Sequence, residues 1–356
     1  MKDDPDMIRS ILLPCQSLSR YEQGTINPEK ILHIAAPQLR QGSLHWRPGL
    51  VSDAIISTFR RLRALDLHDL GIKDSDSAYK KSGGLNELEN LNNLRGGLPI
   101  KNLTPGKDAK AAVLGAKQDL QFLSLDWDID QSENHNTSDH ESQLEDLEPH
   151  LDLKELTLHG YGGWKLSSWL NPQRNLVKLT LQKCSRCEYL PALDQFPSLK
   201  VLVLHEMRNL EYVNSEENPA CEPFFSELQL EELPRLKGWW RGGAFSYDDD
   251  DFPSFPRLSK LSIQDCPELR FMPLFPTLKD ELVLDTTSWV LFQETMKRRR
   301  GALPLMNLSL VNIKDFNKGE VVKFYTRDAL RVLKLDFIPE LEELLKDQST
   351  GLSPQH

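Results

Sequence analysis

Few side chains in this sequence stand at spacings that could do chemistry. Cys184-Ser-Arg-Cys187 has the C-x-x-C spacing of half a zinc site, but no second pair occurs to complete a four-ligand set. Asp126-x-Asp128-x-Asp130 begins like a calcium loop, in which alternate oxygen ligands wrap a hard cation. The sixth position, which should be Gly for the sharp turn, is Gln131, and the twelfth, which should be Glu, is Thr137. A solvated loop is expected there. Lys297-Arg-Arg-Arg300 is too short a basic run to mark a nuclear address and reads as a solvated turn. His68, His159 and His205 could act as bases, yet no serine or cysteine nucleophile is placed near them by spacing. Neither G-x-x-x-x-G-K-[ST] nor G-x-G-x-x-G occurs, so no nucleotide cradle is expected. The sequence therefore predicts no catalytic residues, no metal site and no bound cofactor.

The elements that would position these side chains follow one recurring frame, L-x-x-L-x-L. It reads Leu176-Val-Lys-Leu179-Thr-Leu181, then Leu199-Lys-Val-Leu202-Val-Leu204, then Leu258-Ser-Lys-Leu261-Ser-Ile263. The first two of these start 23 residues apart, within the ~20–29 residue period of leucine-rich repeats. The L-x-L part has period 2, so both leucines point to one side of a strand and the intervening residue to the other. The leucine three positions earlier marks the bend into the strand. One such unit cannot bury its apolar side, whereas stacked units can, with their strands paired in parallel. Eleven copies start at 62, 91, 120, 153, 176, 199, 225, 258, 278, 305 and 330. In the second the strand is Leu98-Pro-Ile100, and at Leu278 the pair Leu282-Val-Leu284 arrives one residue late. The expected fold is α/β: a leucine-rich-repeat solenoid, a curved horseshoe with a parallel sheet on its concave face and irregular convex connections.

The domain organisation expected is an N-terminal flank over 1–55, a repeat domain over 56–345 and an unstructured tail over 346–356. Residues 107–117 are Ala-rich and suit a short helix on the outer side. Residues 126–148 and the acidic run Asp248–Asp251 read as surface loops, the former as a mobile excursion. Cys184 and Cys266 stand three residues after the last apolar residue of their frames, an inward position, and so read as small core residues. The formal net charge of −10 argues against non-specific binding to nucleic acid or to an anionic membrane. No apolar run approaches the ~18 residues of a membrane span, and the start lacks a basic, apolar leader. Five cysteines without a framework fit a reducing compartment, and a cytoplasmic location is expected.

The residues between and after the inward leucines are free of core constraints and line the exposed strand face. They are Asp66, His68, Thr157, His159, Thr180, Gln182, Val203, His205, Gln229, Glu231, Ser262 and Gln264. This face is the expected protein-binding surface. Trp239-Trp240-Arg241 supplies either a flanking contact patch, since Trp and Arg are enriched at binding hot spots, or a cover for the end of the core.

Several runs resemble plant intracellular nucleotide-binding leucine-rich-repeat immune receptors of the coiled-coil class. Among them are Leu91-Asn-Asn-Leu-Arg-Gly96, Gly160-Tyr-Gly-Gly163, Cys184-Ser-Arg-Cys-Glu-Tyr-Leu-Pro191, Leu236-Lys-Gly-Trp-Trp240 and Cys266-Pro-Glu-Leu269. The match covers about residues 52–345. In that family a coiled-coil domain and a nucleotide-binding switch domain precede the repeats; this chain has neither, so it resembles a truncated member. The resemblance implies a non-enzymatic recognition module of the defence response, sensing a pathogen effector or a host guardee and restraining the switch domain. The family's ADP or ATP binding belongs to the domain missing here. The alternative is a free-standing interaction scaffold or substrate adaptor.

Overall fold

The structure is a computed structural model; it describes residues 85–104, 109–128, 136–171, 173–214, 225–241, 253–298, 303–314 and 329–336. The expected flank, the first repeat with Asp66 and His68, the acidic run at 248–251 and the expected tail lie outside the described residues.

The strands form where the frame places them. β1 spans Gly96–Leu103 and β2 Leu120–Trp127. β3, β4 and β5 span Glu155–His159, Lys178–Gln182 and Val201–His205. A short β6, Tyr212–Asn214, precedes β7 at Glu227–Glu231, and a short β8, Gly238–Trp240, precedes β9 at Lys260–Gln264. β10, β11 and β12 span Glu281–Asp285, Asn307–Val311 and Val332–Asp336. Among the described residues ten of these strands form one sheet, β1-β2-β3-β4-β5-β7-β9-β10-β11-β12, and each adjoining pair is parallel. Such an order, with each repeat beside the next, is a solenoid. Pro99, which donates no ladder hydrogen bond, sits in β1, the first strand of this order, where a proline is tolerated.

Register turns the L-x-L pairs into two continuous columns. Leu123, Leu156, Leu179, Leu202, Leu228, Leu261, Leu282 and Leu308 align in one, and Leu125, Leu158, Leu181, Leu204, Leu230, Ile263, Leu284 and Leu310 in the other. All are buried. Burying each such side chain contributes ~1.5–3 kcal/mol. The first leucine of the frame closes a tight turn: the Leu153 N–H donates to His150 O at 3.2 Å, Leu176 to Gln173 O at 3.2 Å and Leu199 to Phe196 O at 3.0 Å.

A third inward column follows the strands. Tyr161, Cys184, Met207, Leu233 and Cys266 occupy it, all buried, with Thr287 and Ile313 continuing it. The expected core role of Cys184 and Cys266 is thus observed. Their thiols donate to carbonyls of the sheet, Cys184 to Gln182 O at 3.5 Å and Cys266 to Gln264 O at 3.3 Å. Burial pushes both thiols up to about 12, which disfavours the thiolate that metal binding or nucleophilic attack requires.

Three sequence expectations need correction. The Ala-rich outer segment is two 3-10 turns, Ala109–Ala112 and Leu114–Ala116, broken by Val113 in a left-handed conformation. Lys297 and Arg298 end a helix, α2 (Val290–Arg298), rather than a turn; α1 is Thr137–Asp146. α1 itself replaces part of the expected mobile excursion. It buries His140, Gln143 and Leu144, an i, i+3, i+4 face. Trp127 Nε1 donates to Gln143 Oε1 at 2.7 Å, Gln143 Nε2 to Thr104 O at 2.8 Å and Trp169 Nε1 to Leu144 O at 2.7 Å. Two of the three buried side chains are polar, which is why hydropathy missed the helix.

Candidate protein-docking face

The open face of the sheet carries the predicted residues in rows. Thr157, Thr180, Val203, Gln229 and Ser262 align across five adjoining strands, with Val283 and Ser309 beyond them. His159, Gln182, His205, Glu231 and Gln264 form the next row, extended by Asp126 on one side and Asp285 on the other. Every one of these predicted side chains is half-buried. Adjoining members are ~4.8 Å apart, so each row is continuous.

Hydrogen bonds tie the rows together. His159 Nδ1 meets Asp126 Oδ1 at 2.6 Å. Asp126, expected in a solvated loop, is instead the second-last residue of β2. Gln182 Nε2 lies 2.9 Å from His205 Nδ1. Gln264 Nε2 donates to Glu231 Oε1 at 3.1 Å and to Ser262 Oγ at 3.0 Å. The two histidines are therefore held by carboxylate and amide neighbours and stand two strands apart.

Sequence reasoning missed two further rows. Glu155, Lys178, Val201, Glu227, Lys260, Glu281 and Asn307 start their strands on the same face. Period 2, run one step back from the first inward leucine, would have found them. Lys260 pairs with Glu227 at 3.8 Å, and Gln229 donates to Glu227 Oε1 at 2.6 Å. The other row follows the strands: Gly160, Lys183, Glu206, Glu232, Asp265, Thr286 and Asn312 all have positive φ, between 47° and 70°. Each donates its N–H to the next strand, as Lys183 does to His205 O at 2.9 Å and Glu206 to Glu231 O at 3.0 Å. The left-handed residue extends the ladder by one rung and sets its own side chain at the rim of the face. Gly160, and more weakly Asp265 and Asn312, signal this conformation by residue type, whereas Lys183, Glu206, Glu232 and Thr286 do not.

The flanking patch does not survive as an accessible surface. Trp239 is 2% exposed and Trp240 1%, because β8 lies in a small parallel sheet with β6, away from the docking face, and packs into an aromatic cluster. Trp239 meets Phe255 edge-on at 4.9 Å, and Trp240 lies 5.8 Å from Phe271. Gly238 leaves the space that Phe271 fills, since a Cβ there would overlap that ring. Arg241 stays exposed. Among the described residues the exposed aromatic side chains are instead Trp164, at 57%, Tyr189, at 48%, and Phe122, at 40%; the backbone beside Trp164 pairs Lys165 with Tyr189.

The motif Gly160-Tyr-Gly-Gly163 also gains a physical basis. Gly160 takes the left-handed rung at φ 70°. A Cβ on Gly162 would come within 2.9 Å of His140 Nε2, and one on Gly163 would overlap the Tyr161 ring and hydroxyl. Tyr161 fills the space between α1 and the sheet. It lies edge-on to Trp127 at 5.2 Å and to His140 at 6.1 Å, and it donates to Lys165 O at 2.8 Å.

Comparison with known proteins agrees with this architecture. Residues 85–207 match the family described as R13L1/DRL21 LRRs. Two Solanum bulbocastanum proteins named for disease resistance are similar. RGA1 is 30% identical over 271 residues, 74% of this chain and 26% of that protein; RGA2 is 29% identical over 246 residues, 65% and 24%. RPP13-like protein 1 of Arabidopsis thaliana, named for the same trait, is 30% identical over 206 residues, 52% and 19%. The chain spans about a quarter of the length of the two Solanum relatives. The two leucine columns fit this match: residues 85–207 form a leucine-rich-repeat region similar to the R13L1/DRL21 family, in a chain similar to proteins named for plant disease resistance.

Proposed function

We propose that this chain is a non-enzymatic, cytoplasmic protein-recognition module of plant defence. Its docking face is the open sheet face, with His159, Gln182 and His205 at the centre. In this reading it senses a pathogen effector or a modified host protein and restrains a nucleotide-binding switch domain. The observation that carries the reading is the register itself: a fixed leucine lattice holds rows of polar side chains whose identity the core does not dictate. A standard protein interface takes about 800 Å² from each partner, which a row of adjoining strands can supply. Among the described residues His159 and His205 hold polar contacts with Asp126, Gln182, Glu206 and Glu232, and the described cysteine thiols are buried, which supports binding rather than nucleophilic chemistry on this face. Among the described residues no helix is long and apolar enough to cross a membrane. The test is the triple substitution His159→Ala, Gln182→Ala and His205→Ala. Circular dichroism reports the fold, and binding is measured to a switch domain of a related receptor and to candidate effectors. Loss of binding with an intact fold is expected. Unchanged binding with the fold intact removes the docking role from this face.

A further inference from the structure

Among the described residues His205, Glu206 and Glu232 bring one ligand atom each to within 4.8 Å of one another. His205 Nε2 lies 3.5 Å from Glu232 Oε1 and 3.7 Å from Glu206 Oε1. Zinc bonds of ~2.0–2.2 Å at tetrahedral angles set neighbouring ligand atoms ~3.4 Å apart. Both histidine edges therefore match a tetrahedral metal, and the two carboxylates, within 4.8 Å of each other, complete the triangle by side-chain rotation. We propose that these three side chains form a binding site for a divalent transition-metal ion of the zinc type, where His205 of the docking face meets the rim residues Glu206 and Glu232.

Three features of the fold support the assignment. Glu206 and Glu232 occupy left-handed rungs directly after the adjoining strands β5 and β7, with φ 53° at each. Their N–H groups are spent in the ladder, to Glu231 O and Gln264 O at 3.0 Å, which fixes the backbone that carries both carboxylates. Next, the ring nitrogen of His205 that does not face the carboxylates already has a partner, Gln182 Nε2 at 2.9 Å from Nδ1. Such a partner on the second nitrogen orients a ligating imidazole; with the Gln182 amide turned to accept from Nδ1–H, the Nε2 lone pair faces the carboxylates. Finally, two carboxylates and a neutral imidazole carry a charge of −2, which one dication neutralises. The mixed nitrogen and oxygen donors favour zinc over magnesium, which prefers oxygen ligands alone. Three protein ligands leave a fourth position for water or a partner's side chain. Lys183 Nζ, 3.7 Å from Glu206 Oε1, competes for the same carboxylate.

The experiment titrates the full chain with zinc chloride by calorimetry, with magnesium chloride as the comparison. The wild-type chain is expected to bind zinc saturably and in preference to magnesium. His205→Asn and Glu232→Gln should each remove one bound ion per chain, with circular dichroism unchanged. Gln182→Leu should weaken that site by about tenfold, as losses of an orienting partner do. Lys183→Ala should tighten it, whereas a cluster that serves only as an ion pair has no reason to respond that way. His159→Asn, two strands away and in contact with none of the three ligands, should leave the zinc titration as it is in the wild type. The proposal is overturned if His205→Asn and Glu232→Gln bind zinc as the wild type does, or if zinc shows no saturable binding. No protein partner enters this test, so its failure leaves the docking face unaffected.

Discussion

The central repeats and the corner backed by α1 bury their side chains equally well by different means. In the repeats each inward position belongs to a column, and the column accepts whatever apolar group fills it. Ile263 stands in for leucine without a change of register. The column after the strands runs through Tyr, Cys, Met, Leu, Cys, Thr and Ile at equivalent places. In the corner, over residues 136–171, the buried groups are matched to one another. Gln143 serves Trp127 and Thr104, Leu144 O serves Trp169, and two glycines clear the space for Tyr161 and His140. Non-directional burial tolerates exchange when volume is kept, whereas a directed contact leaves a partner unsatisfied when either member is lost. The repeats should therefore respond to polarity and the corner to shape.

The largest expected effect lies in the repeats. Leu179→Asp places an unpaired carboxylate in a column with leucines on both sides, at a cost on the order of several kcal/mol, comparable with a domain's whole stability. Thr180→Asp, on the open face one residue later, should barely move the melting temperature. Equal shifts for the pair would break the column register. In the corner Gly163→Ala should cost about 1–3 kcal/mol through overpacking against Tyr161. Gly162→Ala should cost less, since its approach to His140 is less severe. Urea melts of the two variants rank them, and the reverse order would mean that the Tyr161 ring yields more easily than the helix.

Gln143→Leu tests polarity in the corner. It keeps the approximate volume but strands Trp127 Nε1 and Thr104 O, with an expected loss of about 1–3 kcal/mol. Hydrogen exchange at α1 should rise before that of the central strands; uniform loss across the array would show that the corner and the repeats unfold as one unit. The smallest effect concerns Glu145. Burial pushes its carboxyl up, but hydrogen bonds from the Ser167 and Ser168 hydroxyls and the Ser168 N–H, with the Lys165 charge, outweigh it and hold the group below its ordinary value. A carboxylate lowered in the folded state stabilises above its unfolded pKa, and that contribution disappears as pH falls through the folded value. Glu145→Gln should thus flatten the acid limb of the stability profile by less than about 1 kcal/mol, because the group is exposed. An unchanged acid limb in thermal melts below pH 5 would show that the Ser167 and Ser168 hydrogen bonds to Glu145 do not stabilise the fold.

Much of the lattice was legible because a strand has period 2 and a repeat has no other way to bury its leucines. The L-x-L pairs alone placed the sheet, its parallel order, the core cysteines and the face that carries Thr157 to Gln264. The late pair Leu282 and Leu284 fell in register although its frame was flawed. Local pattern could not say what lies beyond the strand. The left-handed rungs at Lys183, Glu206 and Glu232 use residue types with no preference for that conformation. The ladder to the next repeat decides them. α1 was hidden because its buried face is polar, and burial of polar groups depends on partners distant in sequence. Trp239 and Trp240 looked equally suited to surface or core; the aromatic rings of neighbouring repeats settled it. Side-chain period is a property of one strand and can be read from it. Partnership is a property of two, and for this protein only the stacking of repeats brought the partners together.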